Sequence, residues 1–197
     1  MGKTSQRACG TIALLPIGSI EKEVLCLLEE KLGEQLNRKT VLRPMLCEPV
    51  RVCTRRGDQY LATELLGWAL RRECSDIYER VLCMIDHDLY VPRLNFVFGI
   101  ALGAAALISI TRLRQEYYGF AGDTRLFHRR IMTEAIHELG HTYGLRHCPN
   151  PGCVMFFSNS LTDTDRKGPH MCTRCRRQYL SMKGNTREQS IRSGIRR

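Results

Sequence analysis

The sequence predicts a mixed α/β protein with a mostly parallel sheet and one antiparallel edge strand. Short apolar segments, typical of buried strands, alternate along the first half of the chain with longer segments whose apolar residues recur at steps of three and four, as on one face of a helix. Strand–helix–strand connections of this kind place successive strands parallel in one sheet. Near Gly103, however, two apolar segments are joined by a turn too short for a crossover, so that pair is expected to be antiparallel.

The predicted elements follow one another in a regular order. Strands are expected over residues 11–17, 41–47 and 81–85, with helices over residues 20–36 and 60–72 between them. A further helix is indicated by an apolar stripe at helical spacing, which consists of Phe127, Ile131, Met132, Ala135, Ile136 and Leu139.

The composition limits the class of protein and locates its charge. With 197 residues, 43% of them hydrophobic and 25% charged, the chain is typical of one globular domain with at most a small appendage. Ten of the 30 Lys and Arg residues, but one of the 20 Asp and Glu residues, fall in residues 166–197, so the basic character is C-terminal. Because residues 183–197 also lack apolar periodicity, we expect a disordered basic tail there, after subdomains over residues 1–144 and 145–182.

Ten cysteines would suit a disulfide-rich secreted protein, but the N-terminal residues do not resemble a secretory signal. The apolar run at residues 11–17 is short, and no small-residue cleavage site follows it. We therefore expect a cytoplasmic protein with reduced thiols, in which clustered cysteines are metal ligands. The 18 uncharged residues between Arg93 and Arg112 are long enough to cross a membrane, but their glycines and β-branched and aromatic residues favour two strands. We expect no membrane association.

The spacing of three histidines predicts a catalytic metal site on the last helix. His137 and His141 are four residues apart, so both imidazoles lie on one face, while Glu138 between them is placed to accept a proton from water. Gly144 can end the helix with a positive φ, and the returning chain then presents His147 as a third ligand. Zinc suits three neutral imidazoles, and its fourth position stays open for water.

Four cysteines that follow the histidines predict a second, structural zinc site. Cys148, Cys153, Cys172 and Cys175 provide four thiolates, which form a closed tetrahedral shell with no position for water. His170 could replace one of the four. The expected role of this site is to hold together a C-terminal segment that has too few apolar residues to pack by itself.

The order of these motifs resembles the archaemetzincin family of metzincin zinc metalloproteases. The resemblance rests on the histidine motif followed directly by Cys148, on Met155 two residues after Cys153, on the closing Cys-x-x-Cys pair, and on the segment 88–99 ahead of the helix. It implies a zincin-like fold, with an active-site cleft between an α/β subdomain and a small, irregular, zinc-clamped C-terminal subdomain. Met155 would form the Met-turn beneath the catalytic zinc, and a strand at residues 95–101 would form the cleft's upper rim, where a peptide could bind as an added strand.

We therefore predict a zinc metallopeptidase that uses Glu138 as the general base. We expect two zinc ions per chain, a peptide or protein substrate and a monomeric state. In some metzincins a tyrosine after the Met-turn stabilises the transition state, but Phe156 and Phe157 stand there in this sequence. The motifs assign no substrate-binding residue.

Two alternatives stay open at this point. A zinc protein with the same ligands could have lost its catalytic activity. A zinc module could instead bind nucleic acid through the basic tail and through three arginines beside the Cys-x-x-Cys pair, Arg174, Arg176 and Arg177.

Overall fold

The computed structural model describes residues 8–48, 53–72 and 77–192, with side chains from residue 10 to residue 183 within those ranges. The strands are β1 (Ala8–Ile17), β2 (Lys39–Leu42), β3 (Arg55–Arg56), β4 (Gln59–Leu61), β5 (Tyr78–Ile85), β6 (Leu89–Tyr90), β7 (Gly99–Leu102) and β8 (Ala105–Ser109). The helices are α1 (Lys22–Leu27), α2 (Gly33–Leu36), α3 (Ala62–Arg72), α4 (Thr124–Thr142), α5 (Leu161–Lys167) and α6 (Thr173–Arg192). A π-helical turn, Leu28–Leu32, joins α1 to α2, and 3₁₀ turns cover Thr111–Leu113 and Gln115–Tyr118.

The main sheet has the mixed topology that the sequence predicts. Its five strands lie in the order β2-β1-β5-β8-β7. β1 pairs in parallel with β2 and β5, and β5 pairs in parallel with β8, whereas β7 runs antiparallel to β8 at the edge. The tight turn between β7 and β8 contains Gly103, whose φ of 59° lies in the left-handed region that glycine tolerates best. The uncharged stretch at residues 94–111 therefore contains two strands, as expected.

A second, small sheet was not predicted from the sequence. It contains β3, β4 and β6, of which β4 pairs antiparallel with β3 and parallel with β6. The sequence places Tyr60 in a helix, but Tyr60 lies in β4 opposite Leu89, and α3 begins only at Ala62. Strands of two or three residues are too short to show a periodic pattern, which explains the error.

Both faces of the main sheet are covered, and β1 shows how the sequence achieves this. Ile12 and Leu14 point to the face that packs against α4 and the α1–α2 segment, whereas Ala13 and Leu15 point to the face covered by α3. All four side chains are fully buried. A strand buried on both faces needs an uninterrupted apolar run, which is the pattern typical of parallel sheets. The sheet thus supports α4 on one face.

The sequence predicts an irregular segment over residues 145–182 and no helix there, but α6 runs from Thr173 to Arg192. Its backbone is helical through Arg192, where a disordered tail is expected from Lys183 onward. The Tyr179 hydroxyl donates to the Leu36 carbonyl at 2.7 Å, and the Lys183 ammonium donates to the Asn37 carbonyl at 2.6 Å. These contacts dock α6 on the C-terminal end of α2. Residues 193–197 of the predicted tail lie outside the described part of the chain.

Within the described ranges, no helix combines the length and the apolar composition that a membrane span needs.

We expect the α6 anchor to depend on the Tyr179 ring more than on its hydroxyl. The ring is 2% exposed and packs edge-on against Tyr143, with centroids 5.0 Å apart. Tyr179→Ala should lower the free energy of unfolding in urea by about 3–5 kcal/mol, since it removes a buried aromatic ring. Tyr179→Phe should cost about 1 kcal/mol. The neighbouring control Leu180→Ala, at a side chain 48% exposed, should change it by at most about 0.5 kcal/mol. Equal effects of the two alanine variants would contradict this docking.

Candidate active site

Helix α4 holds the first two histidines of the predicted site in place. The helix starts at Asp123, whose carboxylate caps it by accepting a hydrogen bond from the Leu126 amide at 2.9 Å. Its buried face packs on the main sheet. On the same helix His137 and Glu138 are buried, and His141 is half-buried. The packing of the helix therefore fixes the positions of these side chains.

The chain after α4 returns His147 to the other two histidines. Gly144 adopts a φ of 82°, and the Leu145 amide donates back to the Gly140 carbonyl at 3.1 Å. The ring of His147 then lies 5.4 Å from the ring of His137 and 4.8 Å from that of His141, measured between centroids. The three imidazoles form one group whose ligand nitrogens all lie within 4.8 Å of one another.

Backbone carbonyls orient the two helical imidazoles toward a common point. Nδ1 of His137 lies 2.7 Å from the Val154 oxygen, and Nδ1 of His141 lies 2.8 Å from the Leu145 oxygen. Because a carbonyl only accepts, each Nδ1 carries the proton and each Nε2 keeps a free lone pair. These two Nε2 atoms are 3.1 Å apart. Two lone pairs that face each other so closely need a cation between them, so this donor set fits a zinc ion.

The surroundings keep all three imidazoles neutral, which is the state that binds metal. Burial lowers the pKa of His137, and the positive charge of Lys167 lowers it further. Burial is also the main cause that lowers the pKa of His141 and of His147. The group can therefore accept a metal ion at neutral pH without first losing protons.

Glu138 is the acidic group of the site, and its environment favours the protonated form. Burial raises its pKa to about 8, and the neighbouring charge of Glu134 adds to the shift, while the Lys167 ammonium opposes it. Strand β7 covers its side chain at Gly99, where a Cβ atom would lie 2.7 Å from Glu138 Cγ. The carboxyl group is thus confined between the edge strand and α4.

A buried ion pair that no motif indicates lies beside the histidines. The Lys167 side chain is fully buried, and its Nζ lies 3.2 Å from Glu134 Oε1 and 3.3 Å from His137 Nδ1. The Thr164 hydroxyl donates to the same Glu134 oxygen at 2.9 Å. The two contacts of the Glu134 carboxylate, with Lys167 and with Thr164, tie α5 to α4 next to the histidines. The sequence contained one sign of this pair: Glu134 precedes Glu138 by four residues, which places both carboxyl groups on the same face of the helix.

Met155 packs against the turn of α4 that separates two of the histidines. Its side chain is fully buried, and a Cβ atom added at Gly140 would fall 2.5 Å from Met155 Sδ. Glycine at this position therefore leaves the space that the methionine fills. The Cys148 amide donates to the Met155 carbonyl at 2.8 Å, which closes the loop between the two predicted metal sites.

The four predicted cysteines also form one group. The sulfur atoms of Cys148, Cys153, Cys172 and Cys175 lie within 4.8 Å of one another, and Cys148 Sγ is 3.9 Å from Cys172 Sγ. Zn–S bonds of about 2.3 Å in a tetrahedron require sulfur separations of about 3.8 Å, so the group fits a zinc ion. A hydrogen bond from the Cys175 amide lowers the pKa of Cys172 to about 7, whereas burial raises the pKa of Cys153 and of Cys175, so without a cation Cys172 is the thiol that ionises first. His170 lies outside this group and contacts Gln35 instead.

A cleft of about 450 Å³ opens over the three histidines. Its upper wall is formed by residues 94–101, which include part of the edge strand β7, and its lower wall by residues 157–159. Among the described strands, none pairs with the outer edge of β7. In the lower wall, the Phe157 ring lies 4.9 Å from the His147 ring and is 46% exposed. Ser158 and Asn159 bring neutral hydrogen-bond donors into the same wall.

Comparisons with known proteins agree with this geometry. The profile of peptidase family M54 matches residues 56–180. The archaemetzincin of Methanocaldococcus jannaschii is 37% identical over 166 residues, which cover 83% of this chain and 89% of that protein. The archaemetzincin of Pyrococcus furiosus is 40% identical over 176 residues, which cover 85% and 91%. The crystal structure of the archaemetzincin from Methanopyrus kandleri matches with a TM-score of 0.75 and 34% identity, over 92% of this chain and 97% of that chain. The chain therefore belongs to peptidase family M54, the archaemetzincins, and is a zinc metallopeptidase with their zincin-like fold.

Proposed function

We propose that this chain hydrolyses peptide bonds at the three-histidine group, with His137, His141 and His147 as zinc ligands and Glu138 as the general base. The observation that carries the proposal is the convergence of two unprotonated Nε2 atoms, 3.1 Å apart, beside a buried carboxyl group on the floor of an open cleft. Structural zinc sites are closed, whereas a site with three protein ligands and an open side can react with a substrate.

The metal and the protein have separate tasks in this reaction. Zinc held by the three imidazoles supplies Lewis acidity, which activates water and polarises the peptide carbonyl. Glu138 accepts the proton of the attacking water and delivers it to the leaving amine. Its raised pKa brings the carboxyl group near the pH at which it must both accept and donate a proton, although the charge of a bound cation would lower that pKa again. The Glu134–Lys167 pair keeps a second charge beside the site neutralised.

We propose that the substrate chain lies along the outer edge of β7. Backbone N–H and C=O groups at a free sheet edge bind an extended peptide as an additional strand. The cleft would then lie between the predicted subdomains of residues 1–144 and 145–182, with the substrate between β7 and residues 157–159. The exposed backbone of β7 provides hydrogen bonds that do not depend on the substrate's side chains.

The four-cysteine group is proposed to hold the second zinc ion. Because His147 and Cys148 are consecutive, an ordered sulfur shell also holds the third imidazole in position. Reduced thiols suit this role, which supports the expectation of a cytoplasmic protein. The predicted monomer and the alternative of nucleic-acid binding through Arg174, Arg176 and Arg177 stay predictions; these three side chains are exposed on α6.

Replacement of the general base and of a ligand should have different results. Glu138→Ala should keep its zinc, because the three imidazoles remain, and should lose about 10²–10⁴-fold in kcat on peptide substrates. His141→Ala should lose the catalytic zinc together with the activity, while the zinc of the four-cysteine group remains. Peptide-library cleavage and metal analysis on the same preparations distinguish the two. If Glu138→Ala cleaved peptides as fast as the wild type, the proposed mechanism would be wrong.

Metal analysis of protein purified without chelators should give about two zinc ions per chain, one of which exchanges readily through the open histidine site. Cys172→Ser should retain about one zinc ion, unfold at a lower temperature and have lower activity, because a loosened sulfur shell also displaces His147. Cys26→Ser, at an exposed cysteine of α1 that belongs to neither group, serves as the control. Unchanged melting temperature and activity in Cys172→Ser would show that the two sites are independent.

A methyl group at Gly99 should displace the general base without removing a ligand. A Cβ atom there would lie 2.7 Å from both Glu138 Cγ and the Leu107 carbonyl oxygen. We expect Gly99→Ala to keep its catalytic zinc and to lose at least about tenfold in kcat, since a misplacement of 1 Å can cost 10²-fold. Gly67→Ala, where the new Cβ meets only Arg71 Nη1 at 3.4 Å, is the matched control. Equal kcat values in the two variants would contradict a positioning role for Gly99.

A further inference from the structure

A second cavity of about 490 Å³ lies outside the catalytic cleft. Two aromatic rings, Tyr118 and Phe120, and the side chain of Leu161 form its apolar part, and Arg130 and Asp165 also line it. We call this cavity the aromatic groove. None of these residues belongs to either predicted metal site.

Helix α4 runs beneath both cavities. Arg130, Glu134 and Glu138 follow one another at intervals of four residues and so lie on one face of the helix. Arg130 lines the aromatic groove, whereas Glu134 and Glu138 line the catalytic cleft. With a rise of 1.5 Å per residue, Arg130 lies about 12 Å from Glu138 along the helix axis. The two cavities therefore lie beside neighbouring turns of α4, with Thr164 and Lys167 of α5 packed on Glu134 between them.

The walls of the two cavities are also continuous. The lower wall of the cleft ends at Asn159, and the groove begins at Leu161. On the upper side, the Arg112 guanidinium lies over the ring of Phe96, which lines the cleft, at 4.2 Å, and over the ring of Tyr117 at 4.8 Å. The Tyr117 ring in turn packs edge-on against Tyr118, with centroids 5.1 Å apart. An unbroken row of planar groups thus leads from the cleft to the groove.

The groove is a preformed apolar surface. The Phe120 side chain is 68% exposed and that of Tyr118 is 40% exposed. Their loop is held in shape by hydrogen bonds from the Gly119 amide to the Glu116 carbonyl at 3.0 Å and from the Phe120 amide to the Gln115 carbonyl at 3.2 Å. Large aromatic rings exposed next to a cleft cost free energy in water unless a ligand covers them.

The polar residues of the groove are already paired. The Arg130 guanidinium donates to both carboxylate oxygens of Asp165 at 2.7 Å and to the Leu113 carbonyl at 3.0 Å. Neither charge is free to bind a charged ligand, so the groove favours an apolar or aromatic side chain.

We propose that the aromatic groove is a remote substrate subsite, which binds an apolar or aromatic side chain three to four residues away from the scissile bond. The distance follows from the axial separation of about 12 Å and the length of about 3.3 Å per residue in an extended chain. The proposal rests on the proposed peptidase function, and its occupant is the substrate chain that leaves the cleft over the rings of Phe96, Tyr117 and Tyr118.

The test compares short and extended peptides on the zinc-loaded full-length protein. The short substrate has two residues on each side of the cleaved bond. Each extended substrate adds four residues at one end, either the N-terminal or the C-terminal. In the added part, the third or fourth residue from the cleaved bond is either Phe or Ser. In the wild type, extension at one end with Phe should raise kcat/KM on the order of tenfold over the short peptide, mainly through KM. Phe120→Ser should reduce this ratio to about one, and Phe120→Leu should restore most of it. Leu180→Ser, at an exposed side chain outside both cavities, should leave the ratio unchanged.

Because the readout is a ratio, a general loss of activity in a variant cancels out. If extension with Phe gave no gain at either end, or an equal gain that Phe120→Ser did not reduce, the subsite would be wrong while the peptidase function stood. If the wild type cleaved no peptide at all, the proposed peptidase function would be wrong, and the subsite that rests on it would be wrong as well. If Phe120→Ser instead changed a monomer–dimer equilibrium in sedimentation and left the ratio intact, the groove would be an interface between copies of the chain, and the proposal would be overturned.

Discussion

The hydrogen bonds from the two helical imidazoles to backbone carbonyls are the interaction on which the active site depends. His137 donates to the Val154 carbonyl and His141 to the Leu145 carbonyl, and both acceptors belong to the segment that follows α4. Each bond sets the tautomer and the rotation of a ring, and so directs the Nε2 lone pair toward the metal position. The same bonds join α4 to the C-terminal segment. The geometry of the site therefore depends on how that segment docks against α4.

This coupling explains why the two metal groups share one short segment of chain. Residues 145–155 contain the third histidine, two of the four cysteines and the methionine under α4. They contain no helix or strand, so their shape cannot come from regular backbone hydrogen bonds. Bonds such as that from the Cys148 amide to the Met155 carbonyl and the proposed sulfur shell provide the rigidity instead. A loop with an independent structural clamp can then hold a ligand as accurately as a helix does.

The site also places several charges in a low-dielectric region. Glu138, Glu134 and Lys167 are all buried, and the charge of Glu134 adds to the rise in the pKa of Glu138 that burial causes. A buried ion pair is weak evidence for stability, because the cost of removing both charges from water offsets most of their attraction. Its value here lies in electrostatics: the Lys167 ammonium lies 3.3 Å from Nδ1 of His137, helps to keep that imidazole neutral and opposes the effect of Glu134 on the pKa of Glu138, the proposed general base. The desolvation cost is thus incurred in the site, where the proposed chemistry requires groups with shifted pKa values.

The sequence by itself predicted the fold class and the residues of the two groups that could hold a metal ion, since these depend on local spacing. Alternating apolar segments specify strands and helices, a four-residue interval places two imidazoles on one helix face, and a glycine with positive φ returns the third. The small sheet, the docking of α6, the Glu134–Lys167 pair and the close approach of Gly99 to Glu138 were decided by tertiary structure. Each of these depends on residues far apart in the chain, such as Lys167 with Glu134 or Tyr179 with Leu36. Contacts of that kind follow from how the elements pack in three dimensions. They leave no periodic pattern in the amino-acid sequence from which they could be predicted.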